Sequence, residues 1–450
     1  MLIKSGLMKN TVDARRRRFL KGAALAGAGT VVAGATTLAD INDGAKAQGS
    51  PIPIGGITPL TGPGAPSGAE AKRGLEMACE EVNAMGGILG RPVEPVFGDS
   101  KNRSADEVVS AANLLIDRHE VHAIINGHNI GSNNAEYDLV ADASVMYIHT
   151  NTLRQHDEWI ENNPGKYPTI FMSDPAEFWY GPGWIKFISW LRDTGQWTPQ
   201  NNTIALVSGS LPYSTVISNA AAQVAADHGW ELAWGGIETV SVPTTEWGPI
   251  LAKIREANPA AIQNSHFYAG DIAQFMIQFN QNPIDALIYF PWGPLLSAFT
   301  EIGKENSVGV TTSTVIGLLQ DEKGKDFRRR YKEKFGPTAS AVGATVSYPN
   351  MHHFAIAAAV AGGTSEPGDV EQAEKVAAQL KRIAYRGVNG SVAYHPVWQS
   401  AIPYPDLSSD PSLGMPHLFF QIKDWEKQER ILISPPPYNT GDFFLPPWFT

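Results

Sequence analysis

The 450-residue sequence has very little cysteine and no surplus of positive charge. Its single cysteine, Cys79, excludes an internal disulfide framework and any Cys-rich zinc or iron–sulfur centre. The 35 Lys and Arg residues are outnumbered by 45 Asp and Glu residues, which gives a formal net charge of −10. Because a nucleic-acid-binding protein needs excess Lys and Arg to neutralise phosphates, we expect no DNA or RNA partner.

Motifs for nucleotide binding and covalent catalysis are also missing. The sequence has no G-x-x-x-x-G-K-[ST] phosphate loop and no G-x-S-x-G nucleophile elbow, and the loop at 61–64 lacks the spacing of a dinucleotide site. The histidine pairs at 119 and 122 and at 352 and 353 lack an obvious third metal ligand nearby. We therefore predict no metal site and no cofactor.

The first 47 residues have the pattern of an export signal. Residues 16–21 (RRRFLK) resemble the twin-arginine consensus, and a weakly apolar stretch rich in Ala and Gly follows over 22–39. Ala45 and Ala47 supply the small residues of a cleavage site, so the mature chain is predicted to begin at Gln48. The alternative is a basic segment before an ordinary Sec signal. We expect a periplasmic protein exported by the twin-arginine machinery.

From residue 51, short apolar runs alternate with segments of helical periodicity. The runs predict strands over 52–57, 92–97, 121–126, 145–150, 203–207, 260–264 and 286–290. The periodic segments predict helices near 75–85, 105–118, 214–228 and 271–281, with Cys79 on an apolar helix face. Repeated β-α units predict an α/β fold of two doubly wound parallel-sheet lobes. The tail from Tyr394, rich in Pro and aromatic residues, is expected to form loops.

The candidate binding segments are the loops at the carboxyl ends of the predicted strands. Ligands of open α/β sheets bind at that edge, where helix N-termini offer unpaired N–H groups and partial positive charge. The loops are 60–67, 127–132, 150–152, 208–213 and 266–270. Helix capping is the alternative role of each polar residue in them, so together they predict a cleft between the lobes rather than individual contacts.

These segments resemble the branched-chain amino acid (Leu/Ile/Val)-binding group of type I periplasmic solute-binding proteins. The resemblance rests chiefly on 58–63 (TPLTGP), 82–90 (VNAMGGILG), 146–152, 205–213 and 253–259 (KIREANP). It implies two lobes joined by a three-crossover hinge. Lobe one is expected at 51–171 plus 318–388, and lobe two at 172–317 plus 389–450.

The resemblance also implies a function. A protein of this group captures a small solute by hinge closure and delivers it to an inner-membrane ABC permease. We expect a monomer that performs no catalysis. Two alternatives remain open, a ligand-sensing receptor for signalling and a periplasmic enzyme whose cofactor would explain twin-arginine export.

The binding positions of the family fall on a defined set of residues in this sequence. A carboxylate-binding hydroxyl falls near Gly131 and Ser132, a threonine falls on Thr152 and a second-lobe tyrosine matches Tyr213. An aromatic position of the family falls on Ser67, which would open the pocket there. The predicted ligand-binding residues are Ser67, Gly131, Ser132, Thr150, Thr152, Tyr213, Phe267, Tyr268, Asp271 and Trp292.

The position that holds the ammonium group of an amino acid has no carboxylate here. It falls within 290–294 (FPWGP). A buried ammonium without a counter-charge would cost several kcal/mol, so an unmodified amino acid requires another acid, such as Asp271, which would otherwise only cap its helix. The alternatives are an amide or a carboxylate, including a flat aromatic solute stacked on Trp292.

Overall fold

A computed structural model describes residues 49–449, apart from 63, 126, 128, 164 and 338. The predicted signal and its cleavage site lie outside the described residues. Among the helices of the described part, none is both long and apolar enough to cross a membrane.

The first sheet is parallel and has the strand order β2-β1-β3-β4-β5. Its strands are β1 (Ile52–Thr58), β2 (Val93–Asp99), β3 (Ala123–Ile125), β4 (Met146–His149) and β5 (Ile170–Met172). The helices that follow them are α1 (Ala65–Ala84), α2 (Ala105–Asn113), α3 (Tyr137–Asp142) and α4 (Arg154–Asn162). Four of the five strands lie where apolar runs predicted them, and β5 was not predicted.

The second sheet has seven strands in the order β16-β15-β10-β9-β8-β6-β7. Its parallel strands are β6 (Thr203–Gly209), β7 (Glu231–Val240), β8 (Ala261–Asn264), β9 (Leu287–Pro291) and β10 (Thr311–Thr314). The helices among them are α5 (Tyr180–Asp193), α6 (Pro212–Ala225), α7 (Gly248–Ala257), α8 (Ala269–Phe279) and α9 (Ser297–Gly303). β7 and β10 were not predicted. The parallel α/β fold class is confirmed in both sheets.

The prediction that the tail forms only loops was wrong. β15 (Leu418–Asp424) pairs antiparallel with β10, and β16 (Glu429–Ser434) pairs antiparallel with β15. β15 begins with the apolar run 418–420 (LFF) and β16 contains the apolar run 431–433 (ILI), but prolines at 416 and 435–437 flank these runs. The tail therefore extends the second sheet.

The remaining elements connect the sheets or lie at their edges. The helices are α10 (Glu322–Phe335), α11 (Tyr348–Val360) and α12 (Val370–Arg382). Two short pairs are formed by β11 (Tyr385–Arg386) with β12 (Ser391–Val392), and by β13 (Pro403–Tyr404) with β14 (Met415–Pro416).

Buried apolar clusters show which segments pack together. One cluster combines residues of 52–171 with residues of 318–415, and two others combine residues of 184–310 with residues of 419–448. Val392, Tyr394 and Met415 belong to the first cluster although they follow the predicted lobe boundary at 388. The division into lobes stays a prediction. Cys79 is buried in the first cluster, and burial raises the pKa of its thiol to about 12, as expected for a small core side chain.

A buried polar chain ties the tail to the second sheet. Asp406 Oδ2 lies 2.9 Å from His417 Nδ1, and His417 Nε2 lies 2.8 Å from Ser313 Oγ. Helix α5 covers this chain so closely that a Cβ on Gly183 would lie 2.2 Å from His417 Nδ1. The glycine is thus required for the helix to pack on the histidine ring.

Replacing Gly183 should destabilise the fold. We expect Gly183→Ala to lower the free energy of unfolding by about 1–3 kcal/mol, because the added methyl overlaps His417 in a packed core. The matched control is Gly248→Ala at the start of α7, where a Cβ meets nothing within 4 Å. Urea denaturation of both variants measures the difference. Equal stabilities would show that the core around His417 is loosely packed.

Candidate functional site

A cavity of about 270 Å³ lies at the carboxyl ends of the parallel strands of both sheets. Residues at the ends of β1, β2, β3 and β4 contribute from the first sheet, and residues after β6, β8, β9 and β10 contribute from the second. The segment before α11 completes the wall. The lining residues are Thr58, Ser67, Ala71, Arg103, Ile130, Thr152, Tyr180, Tyr213, Phe267, Trp292, Ile316, Val342, Gly343, Thr345 and Val346.

Five of the ten predicted site residues line this cavity. Ser67 lies in the first turn of α1, and Thr152 follows β4. Tyr213, Phe267 and Trp292 come from the second sheet and form an aromatic wall, with the Tyr213 and Phe267 ring centroids 5.1 Å apart. Two distant parts of the sequence therefore meet at one site.

The three other predicted residues of the first sheet do not line the cavity. A Cβ on Gly131 would lie 2.8 Å from the carbonyl oxygen of Arg103, so this glycine allows two loops to approach. Ser132 Oγ accepts a hydrogen bond from the backbone N–H of Asn134 at 3.2 Å, and Thr150 is buried. These residues shape the loops behind the lining.

The two other predicted residues of the second sheet also lie outside the lining. Tyr268 is 44% exposed at the start of α8. Asp271 Oδ2 accepts a hydrogen bond from the backbone N–H of Thr244 at 2.7 Å and lies 3.1 Å from His266 Nε2. Asp271 thus stabilises a neighbouring loop, and it does not supply a carboxylate to the cavity lining.

Ten lining residues were not predicted, and Arg103 is the charged one among them. Its Nη2 donates a hydrogen bond to Ser67 Oγ at 2.6 Å, while its buried Nε has no hydrogen-bond partner among the described residues. Burial lowers the pKa of Arg103, but a guanidinium stays charged in proteins. Arg103 lies on the loop after β2, and the rule that selected the other strand-end loops would have found it there.

The aromatic wall is held in place by backbone contacts. Trp292 has a left-handed backbone with φ of +54°, and its N–H donates to the carbonyl oxygen of Ser313 at 3.0 Å. The hydroxyl of Tyr180 accepts a hydrogen bond from the N–H of Val315 at 3.3 Å. Burial raises the pKa of Tyr213 well above its ordinary value, so its phenol enters the cavity as a neutral group.

Buried acidic side chains lie directly behind Thr152. Its Oγ1 is hydrogen-bonded to Asp174 Oδ2, and its carbonyl accepts the N–H of Glu177 at 3.2 Å. Burial raises the pKa of Asp174 to about 8 and that of Glu177 to about 8. Both carboxyls are therefore largely protonated at neutral pH, and they place no full negative charge next to the cavity.

Comparisons with known proteins agree on one family. The family model described as periplasmic binding protein matches residues 51–402. A solved structure from Silicibacter pomeroyi, named for a branched-chain amino acid ABC transporter, is 43% identical, covers 88% of this chain and 100% of that chain, and has a TM-score of 0.86. A leucine binding protein from Thermotoga maritima, 20% identical with a TM-score of 0.63, covers 85% of this chain and 98% of that chain and shows the fold alone.

The names of two curated relatives agree with this family. The leucine-, isoleucine-, valine-, threonine-, and alanine-binding protein of Pseudomonas aeruginosa is 23% identical over 75% of this chain and 83% of its own length. The Leu/Ile/Val-binding protein homolog 7 of Brucella abortus is 31% identical over 28% of this chain and 32% of its own length. This chain thus spans about a third of the latter relative.

Thr152 offers a direct test of the cavity. We expect Thr152→Ala to weaken solute binding by about 1–3 kcal/mol, because a buried ligand oxygen would lose its hydroxyl partner. Thr152→Ser is the matched control, since it keeps the hydroxyl and removes only the methyl group. Isothermal titration against a panel of branched-chain amino acids, amides and carboxylates measures the effect. If the Thr152→Ala and Thr152→Ser variants bind the solute with the same affinity, the Thr152 hydroxyl does not contact the solute.

Asp174 should make stability depend on pH. The folded chain keeps a proton on this carboxyl up to about pH 8, whereas an unfolded chain releases it near pH 4. The free energy of unfolding therefore falls as pH rises from about 4 to 8 and levels off above that. In thermal melts between pH 5 and 8, Asp174→Asn should show a shallower fall in Tm than the unmodified protein. Asp227→Asn, at an exposed position, serves as the control, and parallel curves for all three proteins would contradict the assignment.

Proposed function

The chain belongs to the periplasmic binding protein family, as its sequence predicts, and on that premise we propose that it is the substrate-binding component of a branched-chain amino acid-type ABC importer. It captures a small polar or carboxylated solute in the cavity. The observation that carries this proposal is the lining itself, to which eight parallel strands of two sheets contribute residues. The 43% identical structure, covered over its full length, supports the same role.

Hinge closure is the mechanism that this arrangement supports. The chain passes between the two sheets after β5, after β10 and again between β14 and β15. Asp174, which is bonded to Thr152 of the lining, lies just after β5 on the first of these connections. A solute that engages Thr152 and the aromatic wall together is held by both sheets, so its binding energy favours the closed arrangement.

The family places the protein in the periplasm. We propose its export route, its cleavage site and its oligomeric state as well. The chain is exported by a twin-arginine-type signal cleaved after Ala47 and works as a monomer. It passes its solute to an inner-membrane ABC permease. The sequence of residues 16–21 (RRRFLK) supports the export route.

The proposed role is binding without catalysis. Ser313, His417 and Asp406 are arranged like a nucleophile, base and acid, but they are buried beneath Gly183 of α5. Ser313 and His417 are each 0% exposed, so no substrate reaches the hydroxyl. This polar chain therefore serves packing of the second sheet.

A thermal-shift screen of the mature protein tests the function. The panel contains branched-chain amino acids, short amides, urea and aromatic carboxylates. A true solute at 100 times its Kd should add about 2.7 kcal/mol to the free energy of unfolding, because it binds the folded chain alone. A Trp292→Ala variant should lose most of that stabilisation. If no member of the panel raises the Tm, the proposal of a small-solute receptor fails.

A further inference from the structure

We propose that the solute is a monocarboxylate without an ammonium group, whose carboxylate binds Arg103 and Ser67 and whose apolar body lies on the wall of Tyr213, Phe267 and Trp292. This inference rests on the proposed function, because it assigns the chemical class of the solute that the cavity captures.

The described lining of the cavity carries a positive charge. Arg103 is the one ionisable side chain with a full charge among the described lining residues. No carboxylate of the described residues forms an ion pair with it within 4.0 Å, and its buried Nε lacks a partner. Arg103 is half-buried, with its Nε shielded from solvent, so the lack of a counter-ion is unfavourable, and a bound carboxylate would supply both the charge and the acceptor oxygens.

The acidic side chains of adjoining segments have other partners. Asp99 Oδ1 accepts the backbone N–H of Leu60 at 2.8 Å, and Glu107 Oε2 accepts that of Asn102 at 3.0 Å. Glu70 Oε2 accepts the N–H of Gly343 at 2.9 Å. Each carboxylate is thus used to fix a loop, and Arg103 is left to face the cavity.

Helix α1 adds positive potential on the same side. It has 20 residues, and its first turn contains no acidic residue. Ser67 lies in that turn, lines the cavity and accepts the hydrogen bond of Arg103. Because the N-terminus of a helix carries partial positive charge, both α1 and the guanidinium of Arg103 favour an anion at this end of the cavity.

The backbone holds Arg103 in place. Its φ of +63° lies in the left-handed region, and its N–H donates to the carbonyl oxygen of Ser100 at 2.6 Å. On the other side, a Cβ on Gly131 would lie 2.8 Å from the Arg103 carbonyl oxygen. Gly131 is therefore a positioning residue for Arg103, which gives this predicted site residue an indirect role.

The same charges disfavour an amino acid. An ammonium group would find no carboxylate in the described lining and would be repelled by Arg103. The rest of the wall is formed largely by aromatic and aliphatic side chains, including Ala71, Ile316 and Val346. One anionic group and an apolar body satisfy this cavity, whereas a phosphate dianion would bring a second charge that no further cation neutralises.

The test compares solutes in two series, each of which keeps one apolar body and changes the polar group. Isothermal titration of the mature protein uses 4-methylpentanoate, 4-methylpentanamide and L-leucine, and then 3-phenylpropanoate and 2-phenylethylamine. We expect each acid to bind at least tenfold more tightly than the amide, amine or amino acid of its series. Arg103→Gln should weaken binding of the acids at least tenfold and leave the affinity for the amide unchanged. Arg103→Lys should weaken binding of the acids less than Arg103→Gln does.

Two further variants separate charge from folding. Lys101→Gln removes an exposed positive charge from the same loop and should bind the acids as the unmodified protein does. Gly131→Ala keeps Arg103 but displaces its backbone, so it should also weaken acid binding while Tm stays within a few degrees.

The outcomes distinguish this inference from the proposed function. Tighter binding of leucine or the amide than of the acid would overturn the inference and leave the receptor function standing. Equal acid affinities of the Arg103→Gln and Lys101→Gln variants would overturn the role of Arg103. Absence of binding by every compound, here and in the thermal-shift panel, would contradict the inference and the proposed function together.

Discussion

Parallel pairing of strands is the constraint on which the site depends. In a parallel sheet, every loop that follows a strand emerges at the same edge. Here eight such strand ends, from two sheets, contribute residues to one cavity. Residues as distant in sequence as Thr58 and Ile316 meet there because of strand direction, and the loops between them can vary without loss of the fold.

The cavity and the connection between the sheets share one hydrogen-bonded unit. Thr152 lines the cavity, and its hydroxyl bonds Asp174 just after β5. Burial keeps the Asp174 carboxyl largely protonated at neutral pH, so the connection carries a polar group without a fixed charge. Under the proposed function, a solute that competes for the Thr152 hydroxyl would act on the segment that joins the sheets, so this contact would couple solute binding to hinge closure.

The repeated β-α pattern was enough to predict the fold class and most strands, because apolar runs and helical periodicity reflect burial directly. It failed for β15 and β16, since prolines flank their short apolar runs and β15 pairs with β10, which is distant in the sequence. At the site, the rule of strand-end loops found Thr152 and Tyr213. It did not distinguish lining residues from those behind them, such as Ser132, because that depends on how loops from two sheets pack.

Arg103 shows why specificity is harder to predict than architecture. A resemblance to a family assigns positions by matching motifs, and the family positions carried here were hydroxyls, aromatics and a missing carboxylate. An arginine on the loop after β2 matches none of them, yet it supplies the full charge of the described lining. The missing carboxylate and the guanidinium of Arg103 both lower the affinity of the cavity for a cationic solute. The guanidinium also raises its affinity for an anionic solute. The sign of the charge in the cavity therefore separates solute classes that the fold and the family name leave together.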